Sequence, residues 1–195
     1  MRGKKFVVAH GLKTYANLAG SMILTGVDQL WVADITYIRL EEEFVYLAVI
    51  LDGYSRRVIG WHLNDGLEDS LTLAALRMAL QQRVVHPGLV HHSDRGVQYA
   101  SGDYTDLLKE NGIDISLNRK ASPWDNAACE SFLKTLKYEE VYRTEYRNLS
   151  QARAAIGEFL EQVYNQKRLH SALDYRSPAQ FESRLPPRPA TRIST

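Results

Sequence analysis

The sequence predicts an α/β domain: a mixed five-stranded sheet, three antiparallel strands first, flanked by helices. Three observations predict it. Three apolar runs rich in β-branched and aromatic residues follow one another closely, at about 30–40, 44–51 and 57–63. The links between them, Glu41-Glu42-Glu43 and Asp52-Gly53-Tyr54-Ser55, are short and polar, as hairpins require. After residue 68, helical and strand patterns alternate along the chain.

Taken in order, residues 1–28 have no clear period, carry Gly11, Gly20 and Gly26, and read as an irregular, basic lead-in. After the three strands, Leu71, Leu73, Ala74, Leu76, Met78 and Leu80 predict a largely buried helix over 69–82, capped by Asp69 or Ser70. Pro87-Gly88 stops it, and a short strand runs to Ser93. Ser101 caps a helix over 102–111 that Asn111-Gly112 ends, and residues 113–117 alternate as a strand. A loop covers 118–124, and Ser122-Pro123 with Asp125 marks a helix start, the helix running to about Tyr142. Another helix is expected from Ser150 to Tyr164, and the last fifteen residues, with Pro186, Pro187 and Pro189, read as a flexible tail. This βββαβαβα order matches the ribonuclease H-like fold. It divides the chain into the lead-in 1–28, a core 29–166 and a basic C-terminal extension and tail, 167–195.

Apolar residues make up 45% of the chain and charged residues 24%, as in an ordinary soluble globular protein. The single cysteine, Cys129, excludes a disulfide framework and a cysteine-rich zinc module, and fits a reducing cytosol. No apolar run approaches a membrane span, and the basic start lacks the apolar stretch of a secretory signal. The net charge of +1 is unevenly spread: +3 over 1–28, +4 over 167–195 and −6 between. An acidic centre with basic ends suits a metal site with arms that grip nucleic acid.

Within that acidic centre, Asp34 interrupts the apolar run Leu30–Ile38, Asp94 ends the stretch Gly88–Asp94, and Glu130 lies in the helical pattern 125–137. Carboxylates in apolar surroundings are paired or hold metal. Three of them, brought to one place, would form the hard oxygen set that binds Mg²⁺ in phosphoryl transfer. On the same helix Asn126, Glu130, Lys134 and Lys137 fall at steps of four, four and three and share a face, so both lysines suit a phosphate backbone. Arg119 and Lys120 are candidates for the same role. Asp52 reads as turn chemistry, its side chain bonding nearby amides. Gly96 suggests a tight turn after Asp94. His91 and His92 are adjacent and must point to opposite faces, with His92 the one suited to place water or substrate. Cys129 is expected to be a small packed residue.

Several strings, in order, carry a resemblance: Trp31–Ile38, Leu51–Arg56, His92–Tyr99, Asp125–Phe132, Leu136-Lys137, Tyr164–His170 and Ser177–Glu182, with 35 residues between Asp94 and Glu130. Over about residues 27–182 the chain resembles the DDE-type integrase catalytic core of bacterial insertion-sequence transposases. It is most similar to the group whose transposase is split over two reading frames, this being the second-frame subunit. The resemblance implies Asp34, Asp94 and Glu130 as catalytic and metal-holding residues. It also implies two Mg²⁺ ions (Mn²⁺ substituting), cleavage of DNA to a 3′-OH, and transfer of that strand to target DNA. The implied partners are DNA, further copies of the chain and a helix-turn-helix subunit from an upstream frame, in the cytoplasm and on the nucleoid. The alternative is a truncated, non-catalytic DNA-binding or regulatory fragment. Relatives usually carry helical DNA-binding segments ahead of the core, and no such pattern is visible here.

Overall fold

Leu30–Arg39 forms the longest strand because its apolar residues serve both faces, which only a strand central in a two-layered core can use. In the computed structural model, which describes residues 7–9, 12–94, 96–118 and 127–186, it is β3, the middle of a five-stranded sheet. Two short strands precede it, β1 (Val7–Ala9) and β2 (Leu12–Thr14), paired antiparallel to each other. The lead-in expected to be irregular therefore contains a small ladder; three-residue strands are too short for a readable alternation.

β4 (Phe44–Asp52) and β5 (Val58–Asn64) follow as antiparallel neighbours, and β6 (Val90–Ser93) and β7 (Asp114–Leu117) lie parallel to β3 on its other side, giving the order β5-β4-β3-β6-β7. This is the ribonuclease H-like sheet, with three antiparallel strands first. Helix α1 (Asp69–Gln82) has the expected bounds, although Glu68 takes the N-cap position and Asp69 falls in the first turn. α2 (Gly102–Glu110) is capped by Ser101, whose Oγ accepts the Tyr104 N–H. Gly112, at φ +70, follows its C-cap Asn111 in a conformation that costs glycine little.

α1 and α2 cover one face of the sheet, over Trp31, Ala33, Ile50 and Ile59. α3 (Ala127–Glu139) and α4 (Leu149–Glu158) cover the other, over Val32, Ile38, Val49 and Leu63. Each fully buried aliphatic or aromatic side chain contributes about 1.5–3 kcal/mol relative to exposure, so these two layers dominate stability. The start of α3 expected at Ser122-Pro123 lies outside the described residues, and its end comes at Glu139 rather than near Tyr142, with a 3₁₀ turn at Val141–Arg143. The helix expected over 150–164 is α-helical only to Glu158 and widens to a π-turn over Phe159–Tyr164. That widened turn ends on Asn165, whose side-chain amide docks on the start of β5: it accepts the Val58 N–H at 2.9 Å and donates to the Val58 carbonyl at 2.9 Å.

The expected flexible tail is ordered as far as it is described. Ser177 opens α5 (Pro178–Glu182) with a capping box closed by Gln180. Phe181 packs its ring 5.5 Å from that of Tyr54. Glu182 pairs with Arg83 and, at 2.7 Å, with Arg57, while Ser55 donates to it at 2.6 Å. Partners more than ninety residues away hold this segment, so local sequence gives no sign of them. Residues 187–195 lie outside the described residues. Among the described residues, no helix is long and apolar enough to cross a membrane.

Candidate active site

The last paired rung between β3 and β6 is Val32 opposite His92. Two residues further along the chain stand Asp34, within β3, and Asp94, one residue past the end of β6. Because side chains alternate, Asp34 belongs to the face that carries Val32, the face α3 covers, and the Asp94 charge acts on it from close by. From Ala33 onward no described strand pairs with β3 on that side, which places Asp34 just past the last β3–β6 rung, at the sheet's centre. α3 delivers the third carboxylate. The Cys129 thiol lies 3.6 Å from the Val32 carbonyl, fixing the first turn of α3 over the same rung, and Glu130 is the next residue.

The electrostatics of Asp34 follow from this convergence. Burial raises the Asp34 carboxyl to about 6, and the negative charges of Asp94 and Glu130 push the same way. The Ile35 N–H, donated to Asp34 at 2.8 Å, and the Lys137 ammonium pull it back. Asp34 is partly buried, whereas Asp94 and Glu130 are exposed. Asp94 accepts the Gly96 N–H at 2.9 Å. That bond closes the tight turn expected after Asp94, but Gly96 has an ordinary φ of −57, so its backbone freedom is not what the turn needs. A Cβ there would lie 2.8 Å from the Asp94 carboxylate oxygen, and glycine leaves that space open.

The donor chemistry of the three carboxylates fits a hard divalent cation: oxygen ligands only, with negative charge gathered around the partly buried Asp34 that a cation would relieve. They share one electrostatic neighbourhood without forming a closed ligand set; among the described residues, no group of three or more His, Cys, Asp or Glu is arranged to hold a metal.

On α3, Lys134 is exposed beside this site, and no ion pair joins it to Glu130 among the described residues. Lys137 lies two turns beyond Glu130 and places its ammonium 5.0 Å from the Tyr37 ring centroid. Arg119, Lys120 and Asn126, expected to line the same DNA path, lie outside the described residues.

Other candidates are structural. Asp52 is fully buried and accepts from the backbone N–H of Asp28 at 2.6 Å, Tyr54 at 2.9 Å and Ser55 at 2.8 Å, the turn role expected of it. His91 and His92 face opposite ways, also as expected. His91 is buried against Tyr104, 2.9 Å from its hydroxyl, and burial lowers its pKa to about 3, so it stays neutral. His92 has both ring nitrogens engaged. Ser116 Oγ accepts the Leu18 N–H at 2.8 Å and the Ala19 N–H at 3.3 Å, so its own proton goes to His92 Nδ1 at 2.7 Å. Nε2 then carries the hydrogen and donates to Asn118. His92 is thus a strut between β6 and β7 rather than a group aimed at substrate. Cys129 is fully buried, and burial raises its thiol pKa well above the ordinary value, which fits packing and not catalysis. Sequence reading missed an exposed aromatic cluster around Tyr37, Phe44, Tyr138 and Tyr142. Its sequence signal was faint, because aromatic residues are as common in strands and helix ends that pack inward.

Comparison with known proteins agrees with this fold. Two models described as integrase core domain match, over residues 25–123 and 111–178. The chain is 35% identical over 187 residues to the transposase for insertion sequence element IS904 of Lactococcus lactis, covering 93% of this chain and 74% of that protein. It is 38% identical over 177 residues to transposase InsF for insertion sequence IS3A of Escherichia coli, covering 90% of this chain and 62% of that protein. The chain therefore spans less than two thirds of InsF. Among solved structures, the HTLV-2 integrase catalytic core domain in complex with magnesium superposes with a TM-score of 0.60 at 18% identity, over 80% of this chain and 96% of that one. Fold, family models and relatives converge: the chain belongs to the integrase core domain family, as the DDE integrase core of an insertion-sequence transposase.

Proposed function

We propose that this chain catalyses divalent-metal-dependent cleavage of DNA and transfer of the resulting 3′-OH strand into a second DNA, moving an insertion element. The observation that carries the reading is the Asp34 carboxyl held at about 6 by burial beside the charges of Asp94 and Glu130. A largely buried carboxylate beside two further negative charges is costly in a folded protein unless a cation uses it. Asp34, Asp94 and Glu130 would hold Mg²⁺, as two ions with Mn²⁺ able to substitute; the magnesium complex of the HTLV-2 core supports this choice. When bound, such ions supply positive charge at the attacking and leaving oxygens of a displacement at phosphorus.

The chain's own residues do the rest. Asp34, the most buried of the three, anchors the site on the rigid centre of the sheet. Lys134 and Lys137 hold backbone phosphates on the side of α3 that carries Glu130, fixing the register of the DNA without reading its sequence. Arg119, Lys120 and Asn126 are proposed to extend that contact. An in-line attack by water or by a 3′-OH needs no covalent protein intermediate, so Ser93 and Ser131 are not nucleophiles. Ser93 is buried besides. Joining two ends in concert calls for several copies of the chain on DNA. Recognition of the ends is assigned to a helix-turn-helix partner from an upstream frame, and the site of action to the nucleoid in the cytoplasm. The three carboxylates together favour a catalytic chain over a regulatory fragment.

A branched DNA resembling a strand-transfer product tests the reading, since reversing transfer asks only for the core. With Mg²⁺ or Mn²⁺ the wild-type chain reseals the target strand and Glu130→Gln does not. Failure of folded wild-type protein to reseal any strand in either metal would overturn the proposal.

A further inference from the structure

Four of the large side chains left exposed by the fold are aromatic residues gathered in one place: Tyr37, Phe44, Tyr138 and Tyr142, each between 51% and 68% exposed. Tyr37 and Phe44 pack edge to face across β3 and β4 with centroids 5.7 Å apart, and Tyr138 and Tyr142 do the same at 5.6 Å where α3 ends. One ring of each pair, Tyr37 and Tyr142, lines a cavity of about 870 Å³, together with Arg39, Lys137 and Arg147 among others. Its floor is built and fixed. The Glu41 N–H donates to the Tyr146 carbonyl at 3.0 Å, and the buried Tyr146 donates its hydroxyl to Glu140 at 2.9 Å. These bonds tie the β3–β4 turn to the segment between α3 and α4.

Cations stand over the rings. Lys137 lies 5.0 Å from the Tyr37 centroid, and Arg39 lies 6.0 Å from that of Phe44. Three cations on the lining, Arg39, Lys137 and Arg147, face two carboxylates, Glu41 and Glu145. Exposed π-faces interleaved with cations bind nucleotides by stacking on the base while the charge follows the phosphates. Paired bases hide their faces in the duplex stack, so only an unpaired base can use such a surface. Lys137 connects the two regions: it contacts Tyr37, and its charge acts on Asp34.

We propose that the cavity between Tyr37 and Tyr142 binds unpaired nucleotides of the DNA strand next to the reacting phosphodiester. The inference rests on the DNA-joining reading and adds a strand state to it: the DNA is opened beside the site, and the displaced bases stack on this platform. An overhang in that position would be held by tyrosine faces, with Arg39, Lys137 and Arg147 along its backbone.

The test needs no chemistry. The full chain, in EDTA, is titrated with a duplex carrying a short single-stranded overhang that contains 2-aminopurine, and with the same duplex made blunt. Expected are tighter binding of the overhang, quenching of the fluorophore on binding, and retention of both in Tyr37→Phe and Tyr142→Phe. Tyr37→Ala and Tyr142→Ala should each narrow the overhang-to-blunt affinity ratio about tenfold and relieve quenching, as loss of one stacked base implies. Equal affinity of wild type for both DNAs, an unquenched overhang, or equal losses on both DNAs in the alanine variants overturns the proposal. A patch used for self-association instead would appear in sedimentation as a dimer that Tyr142→Ala dissociates, which also overturns it. Because the readout is binding without metal, failure of strand resealing leaves this result standing, and the reverse holds too.

Discussion

Replacing Asp34 by asparagine should stabilise the metal-free fold while removing the proposed activity. The rise of the Asp34 carboxyl from 3.8 to about 6 means the folded chain binds that proton more tightly than the unfolded one. Stability therefore falls as pH climbs through the window from 3.8 to about 6, and the full cost is present at neutral pH. A rise of about two pH units corresponds to about 3 kcal/mol at pH 7. Asparagine keeps the shape and an acceptor for the Ile35 N–H but carries no charge, so it recovers most of that cost. Urea unfolding in EDTA measures the effect. At pH 7.5 Asp34→Asn should unfold at higher urea than wild type, and at pH 3.5 the two midpoints should coincide. Added Mn²⁺ should raise the wild-type midpoint and leave Asp34→Asn unmoved. A variant less stable than wild type at both pH values would refute the reasoning, because Asp34 would then be a satisfied structural carboxylate.

Glu182→Gln should lower stability by about 1–3 kcal/mol at pH 7, because Arg57 loses its anion and Arg83 keeps only Asp28, 3.7 Å away. Burial raises the Glu182 carboxyl, but the charge of Arg83 and the hydrogen bonds from Arg83, Ser55 and Arg57 together hold it below 4.5. Its contribution is thus present above pH 4.5 and fades as pH falls through the lowered value, so the penalty should shrink in acid unfolding curves. Gly60→Ala should cost about 1–3 kcal/mol or more by denaturant melt, because a Cβ there would lie 2.2 Å from the Ala75 carbonyl of α1. Ser116→Ala should leave the Leu18 and Ala19 amides without their acceptor, at a cost of about 1–3 kcal/mol, and speed their hydrogen exchange more than that of β4.

The features legible in the sequence were those whose cause is local. α1 was readable to the residue because six apolar positions repeat at helical spacing and Pro87-Gly88 follows. β3, β4 and β5 were readable from β-branched runs broken by acidic or glycine-containing turns. Asp34 stood out because a carboxylate inside such a run is costly unless it is paired or holds a cation. What local sequence could not carry was anything whose cause lies elsewhere in the chain. α5 is held by Arg57 and Arg83, 125 and 99 residues from Glu182. His92 suits a substrate-facing role by its local sequence, but Ser116 and Asn118, on and beyond β7, occupy both its nitrogens. Gly96 stands in the turn expected of it, but the side chain of Asp94 is what needs the space. The aromatic platform is likewise a product of assembly: β3, β4 and the end of α3 each contribute rings that are unremarked alone.

If the proposed chemistry holds, Asp34, Asp94 and Glu130 act as one unit. The decisive quantity is the resealing rate on branched DNA for Asp34→Asn, Asp94→Asn, Glu130→Gln and the three pairwise combinations, each shown to be folded. Every single substitution should lower the rate about a thousandfold or more, and no pair should be worse than its members, since groups serving one step fail together. Substantial resealing by any single variant, or losses that multiply in the pairs, would contradict a shared site.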